Sequence, residues 1–175
     1  MSDLFEHQKE GVKFLKKHKR AILADEMGLG KTRQAILAAE EDTKDQAGLK
    51  LVICPASLKI NWKREIEAVT NQRVQVVESG PEKGIDPEGW VVINYDMLSK
   101  YKDQLLALKD SGYLLAAIPD EAHYIKGKKT IRATIALEIM KGLERVYLLT
   151  GTPVMNRPAE LYNMLVAIDH PLGRY

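Results

Sequence analysis

The chain has 175 residues, 45% of them hydrophobic and 29% charged, with a formal net charge of +2. That length suits one domain, which buries about 70% of its extended surface on folding and needs no staple to hold a core. The composition is that of an ordinary soluble globule, and a charge this mild neither demands nor excludes nucleic acid. The single cysteine, Cys54, excludes an internal disulfide framework and fits a reducing compartment. No apolar run approaches the roughly 18–20 residues that cross a bilayer. Met1-Ser2-Asp3 opens no basic-then-apolar secretory signal. The expected location is the cytoplasm or nucleoid, or the nucleus of a eukaryote.

Short β-branched runs alternate with helical patterns, as in a parallel sheet joined by crossover helices. Residues 20–24 (RAILA) form a first buried strand, followed by a glycine-rich turn and a helix over 31–45. A second strand at 50–54 (KLVIC) ends at Pro55, which cannot donate to a ladder. The next helix spans 57–69, with Ser57 as its N-cap. An alternating strand at 73–77 leads into a surface loop over 79–89 that holds three glycines and two prolines. Beyond it come a strand at 90–94 (WVVIN), a helix at 96–110, a strand at 113–118, a helix at 130–141 and a strand at 145–149. Pro158 opens a last helix to residue 168, where its missing N–H does no harm. No repeat, low-complexity tract or interdomain linker interrupts this order. The pattern predicts a three-layer α/β domain with a mostly parallel central sheet.

The segment Ala24-Asp25-Glu26-Met27-Gly28-Leu29-Gly30-Lys31-Thr32 follows a strand and opens a helix, the context a phosphate-binding loop requires. Gly28 and Gly30 let backbone N–H groups approach an anion, and the helix start adds its positive dipole end. Lys31 reaches the terminal phosphates of ATP, and the Thr32 hydroxyl is placed to ligate Mg2+. Asp25 stands where the generic loop begins with glycine.

Asp120-Glu121-Ala122-His123 follows the strand at 113–118, so in a parallel sheet it faces the same crevice as the phosphate loop. Two adjacent carboxylates there divide the work: Asp120 holds magnesium, and Glu121 orients or deprotonates the attacking water. His123 alone reads more readily as a packing residue than as a zinc ligand, since no second histidine or cysteine stands at ligand spacing. Pro119 at the strand end is expected to bend it. Further on, Leu148-Leu149-Thr150-Gly151-Thr152-Pro153 is a strand ending in two hydroxyls around a glycine.

The order of these segments resembles the first RecA-like domain of superfamily-two helicases, and specifically the Swi/Snf remodelling and translocase ATPases. The matching stretches are LFEHQKEGVKFL, DEMGLGKT, LVICPASLKINWKREI, VVINYDML, DEAHYIK and LLTGTPVMNRPAELYNML. DEMGLGKT, with Asp25 in place of glycine, is similar to this branch in particular. Met155, where the family often has Gln, and Phe5-Glu6, in place of a basic-Pro pair, depart from it. The resemblance implies that Gln8 recognises the adenine edge, for which a carboxamide offers one donor and one acceptor. Without it, Gln8 is a helix-surface glutamine. It further implies that Asp25, Met27, Gly28, Leu29 and Gly30 line the nucleotide with Lys31 and Thr32. Thr150, Gly151 and Thr152 would couple nucleotide state to the nucleic-acid face, with His123 bridging toward them. In this family a second RecA-like domain carries the remaining motifs and the arginine fingers, and nothing in these 175 residues corresponds to it. The end at Tyr175 favours one part of a longer chain.

By the same resemblance Ser57, Lys59, Asn61 and Lys63 form a strand-tracking segment, and Asn94 and Tyr95 a second one. Hydroxyls, amides and amines of this kind hold DNA phosphates, of duplex DNA above all, without reading sequence. The basic runs Lys16-Lys17-His18-Lys19-Arg20 and Lys126-Gly127-Lys128-Lys129 read as solvated surface, and Trp62 as packing rather than base stacking. Together these readings imply a DNA-dependent ATPase motor. Two rivals remain open: an ATP-gated nucleic-acid-binding module with negligible turnover by itself, and a kinase using the same loop. The Glu121 carboxylate argues against the kinase, because it serves water rather than an acceptor alcohol.

Overall fold

A computed structural model describes residues 4–24, 30–125, 130–151 and 158–174. Helix α1 (Glu6–His18) leads into strand β1 (Arg20–Leu23), α2 (Lys31–Thr43), β2 (Leu49–Cys54) and α3 (Lys59–Val69). Then follow β3 (Val74–Val76), β4 (Gly89–Asn94), α4 (Leu98–Asp110), β5 (Leu114–Pro119), α5 (Ile131–Met140), β6 (Val146–Leu149) and α6 (Pro158–Ala167). The six strands form one sheet in the order β1-β6-β5-β2-β4-β3, and every pairing is parallel.

Strand residues alternate between two apolar layers, because successive side chains leave opposite faces of a strand. Leu49, Leu51 and Ile53 of β2 join Val91, Ile93, Val146 and Leu148 beneath α4, α5 and α6. Val52 and Cys54 join Val92, Ile118, Tyr147 and Leu149 beneath α1, α2 and α3. The result is the expected three-layer α/β arrangement with a parallel central sheet. Burial on both faces explains why the strands read as near-continuous apolar runs. No helix among the described residues is long and apolar enough to cross a membrane.

The expected elements stand in their predicted order, with ends that differ by a residue or two. Two local differences have physical reasons. Ser57 does not cap a helix: a 3-10 turn over Ala56–Leu58 intervenes, and α3 starts only at Lys59 without any side-chain cap. Residues 95–97 likewise form a 3-10 turn ahead of α4. Both turns tighten the chain as it leaves a strand. Thr130, by contrast, is a capping residue for α5, its hydroxyl oxygen accepting the Ala133 N–H at 3.2 Å.

The sequence pattern set no bounds for α1, although it read Gln8 as lying on a helix. Its buried face is Gln8, Gly11, Val12 and Leu15, a helical spacing in which half the positions are not apolar. Gly11 explains the packing: a Cβ there would stand 1.8 Å from Gln34 Oε1 on α2. Glycine costs helix stability, but here it lets α1 close onto α2, where any Cβ would have to push the buried Gln34 carboxamide aside.

Buried charge collects at the amino ends of the strands. Lys50 of β2 is 3% exposed; its Nζ lies 2.9 Å from Glu40 and donates to Gln72 Oε1 at 2.7 Å. Trp90 Nε1 donates to the same Glu40 at 2.7 Å. Arg145 pairs with Asp42. Arg20, part of the basic run read as solvated, is half-buried, with its guanidinium donating to the Met140, Leu143 and Ala167 carbonyls that end α5 and α6. Its neighbours fit the surface reading better: Lys16 pairs with Glu41 and Lys19 with Glu144. The second basic run, 126–129, lies outside the described residues.

Candidate nucleotide site

Because all six strands are parallel, their carboxyl ends share one edge of the sheet, and the residues singled out in the sequence follow those ends. Register fixes the layout. Leu23 at the end of β1 lies opposite Leu149 at the end of β6, and Ile53 of β2 opposite Pro119 of β5. Thr150 N–H donates to the Leu23 carbonyl at 3.1 Å, and Asp120 N–H to the Ile53 carbonyl at 2.7 Å. Those bonds extend the ladder past the strands proper and set the start of each functional loop. Pro119 is the last residue of β5, where its lack of an N–H interrupts nothing further.

Of the phosphate loop, Asp25, Met27, Gly28 and Leu29 lie outside the described residues; Gly30, Lys31 and Thr32 lie within them. Gly30 caps α2 in the left-handed conformation (φ 72°, ψ 35°), and its carbonyl accepts the Gln34 N–H at 3.1 Å. That conformation is why a glycine stands there. Lys31 and Thr32 occupy the first turn of α2 and are half-buried.

Gln8 meets this turn from α1. Its Oε1 accepts the Phe5 N–H at 3.1 Å, and its Nε2 stands 2.3 Å from where a Gly30 Cβ would be. The side chain is 9% exposed, so Gln8 is not the helix-surface glutamine of the simpler reading. The close approach of α1 to α2 at Gly11, one turn further on, delivers the carboxamide to the phosphate-loop helix.

Asp120 is held on both oxygens: Oδ1 accepts the Glu121 N–H and Oδ2 the Trp62 indole N–H, each at 2.8 Å. Burial, with the Glu121 charge adding to it, raises the Asp120 carboxyl above the usual range. The two N–H donors and the Lys31 charge pull the other way, which places Lys31 within electrostatic reach of Asp120. Glu121 has φ 50°, a left-handed conformation rare for a side chain of this size and of a kind that clusters at functional sites. His123 Nδ1 lies 3.0 Å from Glu121 Oε2, out of line for a hydrogen bond, and its ring tilts against Tyr124 at 5.0 Å. Thr150 is fully buried at the end of β6, Gly151 is half-buried beside it, and Thr152 lies outside the described residues.

The nucleic-acid candidates separate. Ser57 is exposed, and Lys59 is half-buried with Nζ donating to the Val77 carbonyl at 2.7 Å. Asn94 is nearly buried. Tyr95 corrects the sequence reading: it is 2% exposed, and its hydroxyl donates to the Asp120 carbonyl at 2.7 Å rather than facing solvent. Its ring stacks on Tyr124 at 5.1 Å. Burial raises its hydroxyl pKa well above the ordinary value, so it stays a neutral donor. Trp62 is fully buried, as expected of a packing residue, but its bond to Asp120 is one that sequence reasoning missed. The available signal was chemical: a buried indole N–H needs an acceptor. Cys54, at the end of β2, is pushed up to about 12 by burial, with the Asp120 charge second, and remains an unreactive thiol.

A family model described as the SNF2-related domain matches residues 7–172. The chain belongs to that family. It is 37% identical over 174 residues to the Bos taurus SWI/SNF-related matrix-associated actin-dependent regulator of chromatin subfamily A-like protein 1, covering 96% of this chain and 18% of that protein. It is 34% identical over 171 residues to the Bos taurus DNA annealing helicase and endonuclease ZRANB3, covering 94% of this chain and 16% of that protein. The chain thus spans less than a fifth of the length of these relatives. Among solved structures, the Sulfolobus solfataricus SWI2/SNF2 ATPase core in complex with dsDNA aligns over 98% of this chain and 37% of its own, with TM-score 0.82 and 26% identity. The UvsW helicase of bacteriophage T4 shares the fold, with TM-score 0.72 and 16% identity over 95% of this chain. Within the SNF2 family the chain is the first, N-terminal RecA-like domain.

Proposed function

We infer that this domain binds ATP with magnesium at the carboxyl edge of its sheet and supplies the hydrolytic half-site of a DNA-dependent motor. The observation that carries the reading is convergence: Gln8, Gly30, Lys31, Thr32, Asp120 and Glu121 come from three separate segments and meet at one edge. Lys31 faces the terminal phosphates and Gln8 the adenine edge. The donor set fits magnesium, because an ionised carboxylate has about four lone-pair sites and Asp120 uses one on each oxygen among the described residues. Thr32 and Asp120 would hold the ion, which when bound neutralises charge on the phosphates. Glu121 accepts the proton of the attacking water, and its left-handed backbone (φ 50°) is a conformation that clusters at functional sites. His123, Thr150, Gly151 and Thr152 pass the state of the nucleotide outward, and Ser57, Lys59 and Asn94 lie on the DNA side. The SWI2/SNF2 ATPase core solved with dsDNA supports DNA as the partner, and the greater length of the relatives supports a second RecA-like domain in cis.

Calorimetry with ATP and magnesium, followed by steady-state phosphate release with and without duplex DNA at low salt, tests this. The 175 residues bind ATP but turn it over slowly, because arginine fingers worth roughly 10³–10⁵ in rate belong to the second domain. DNA stimulates them little, since affinity falls steeply with fewer phosphate contacts. Absence of magnesium-dependent ATP binding refutes the site. Fast, DNA-stimulated turnover by a monomer refutes the division of labour between two domains.

A further inference from the structure

Two hydrogen bonds at the carboxyl edge join segments far apart in sequence, and both end on Asp120. The first comes from α3. Trp62 lies one turn into that helix, just past Ser57 and Lys59; it is fully buried and donates its indole N–H to Asp120 Oδ2 at 2.8 Å. The second comes from the turn after β4. Tyr95 follows Asn94 directly and donates its hydroxyl to the Asp120 carbonyl at 2.7 Å. One bond grips the carboxylate and the other the backbone of the same residue. The donors belong to the two segments assigned to the DNA side, and neither donor reaches solvent.

We propose that Trp62 and Tyr95 are positioning residues that transmit engagement of the β2 and β4 end segments to Asp120. This rests on the function proposed above. The geometry supplies the sensitivity. A hydrogen bond at 2.8 Å is lost once donor and acceptor part by about 0.7 Å more. Trp62 is carried on the first turn of α3, which the 3-10 turn holding Ser57 joins without a break, so a shift of that turn moves the indole with it. Asp120 has its other carboxylate oxygen on the Glu121 N–H, so releasing the indole lets the carboxylate pivot about a single remaining donor. A carboxylate free to pivot is a poorer ligand, because affinity depends on ligand atoms held in place by their own partners. Burial alone does not explain the arrangement, since Trp90 is equally buried yet gives its N–H to Glu40, at the other end of the sheet.

Trp62 and Trp90 are the two tryptophans of the sequence, so an amide-nitrogen NMR spectrum shows one indole cross-peak for the site and one internal control. With ATP, adding magnesium moves the Trp62 cross-peak and leaves that of Trp90 in place; a short duplex DNA without nucleotide also moves Trp62 selectively. Trp62→Phe keeps the ring and removes the N–H. It lowers affinity for magnesium–ATP roughly tenfold, the scale of one hydrogen bond to a charged group, while affinity for ATP in EDTA is unchanged. Tyr95→Phe, which removes a single oxygen, gives the same split in a milder form and serves where Trp62→Phe does not fold. If the parent binds no magnesium–ATP, the proposed function fails first. If the parent binds it but Trp62 responds no more than Trp90, or both variants keep the parent's magnesium dependence, this inference is overturned and the function stands. A Trp62 cross-peak that responds to nucleotide but not to DNA overturns the transmission.

Discussion

Gly30→Ala tests the join between α1 and the phosphate-loop helix, and its consequences can be worked out in advance. Gly30 sits at φ 72°, where a residue with a Cβ costs about 1–2 kcal/mol. Alanine also restricts the unfolded chain, which returns about 0.4–1 kcal/mol. The net loss is about 1 kcal/mol, or a fall of about 2–4 °C in Tm for a domain of this size. The new methyl would stand 2.3 Å from Gln8 Nε2 but 3.4 Å from Cδ and 4.0 Å from Cγ. Only the tip of a flexible side chain is struck, so the carboxamide swings away and the helices stay in place. Stability therefore changes little more than the backbone term, while the group expected to read adenine is displaced. Absolute nucleotide affinity also falls, because the phosphate loop is altered, but the ratio of ATP to GTP affinity cancels that effect. Competition titrations with ATP and GTP on the parent, Gly30→Ala, Gln8→Ala and the double variant complete the cycle. The ratio drops to the same value in all three variants, because each removes the same reader. A Gly30→Ala protein that loses the expected stability yet keeps the parent's adenine preference refutes the placement of Gln8 as that reader. Additive losses in the double variant refute it as well.

Lys31→Ala weakens magnesium–ATP binding by about 1.5–3 kcal/mol, the scale of hydrogen bonds to charged groups; equal affinities by calorimetry would remove Lys31 from the phosphates. Glu121→Gln retains ATP and loses hydrolysis, because the amide cannot take up the water's proton; this is measured as phosphate release in a longer chain carrying both RecA-like domains, and parental turnover there would assign the base elsewhere. Glu40→Ala leaves Lys50 buried without its counter-ion and Trp90 without its acceptor, and costs about 3–5 kcal/mol, or roughly 6–20 °C in Tm. Its affinity for ATP stays at the parent's value while the domain is folded, and a loss under about 1 kcal/mol would show that the pair is not needed.

The strands and the site motifs were legible because their signals are local. A parallel strand buried on both faces writes its apolar run into four to six consecutive residues, and the carboxylates and glycines stand next to the strand ends that place them. What the sequence concealed is carried by register across the sheet. Trp62 meets Asp120 only because α3, packed against α2 and over β3 and β4, buries Trp62 in the same apolar layer as β2 and β5, a contact between residues 58 positions apart. Tyr95 sat in a segment resembling a phosphate-contacting one, yet its ring turns inward onto Tyr124. The extent and buried face of helix α1 were hidden for a different reason: its buried positions include a glutamine and a glycine, which meet the phosphate-loop helix α2 and which hydropathy does not mark. The N-cap expected at Ser57 failed because a 3-10 turn was inserted where the chain turns back over the sheet.

The two ends of the sheet are built on opposite principles, and the difference bears on how such a domain could work. At the amino ends, Lys50 with Glu40 and Arg145 with Asp42 are ion pairs set into the core, and Arg20 ties the ends of α5 and α6 to β1. Breaking any of these leaves a buried charge or carbonyls without partners, so that end resists displacement. At the carboxyl ends, single hydrogen bonds join separate loops to Asp120, and Glu121 sits in a strained backbone conformation. Each such bond is worth only about 0.5–3 kcal/mol, within the range that binding a nucleotide or a few phosphates can supply. A rigid base with a weakly joined rim lets ligand energy move the loops against one another without unfolding the sheet beneath them. On the function proposed above, the responsive parts of the domain then lie where its chemistry also lies, and Asp120, gripped from both α3 and the turn after β4, is the residue through which those two segments would act on each other.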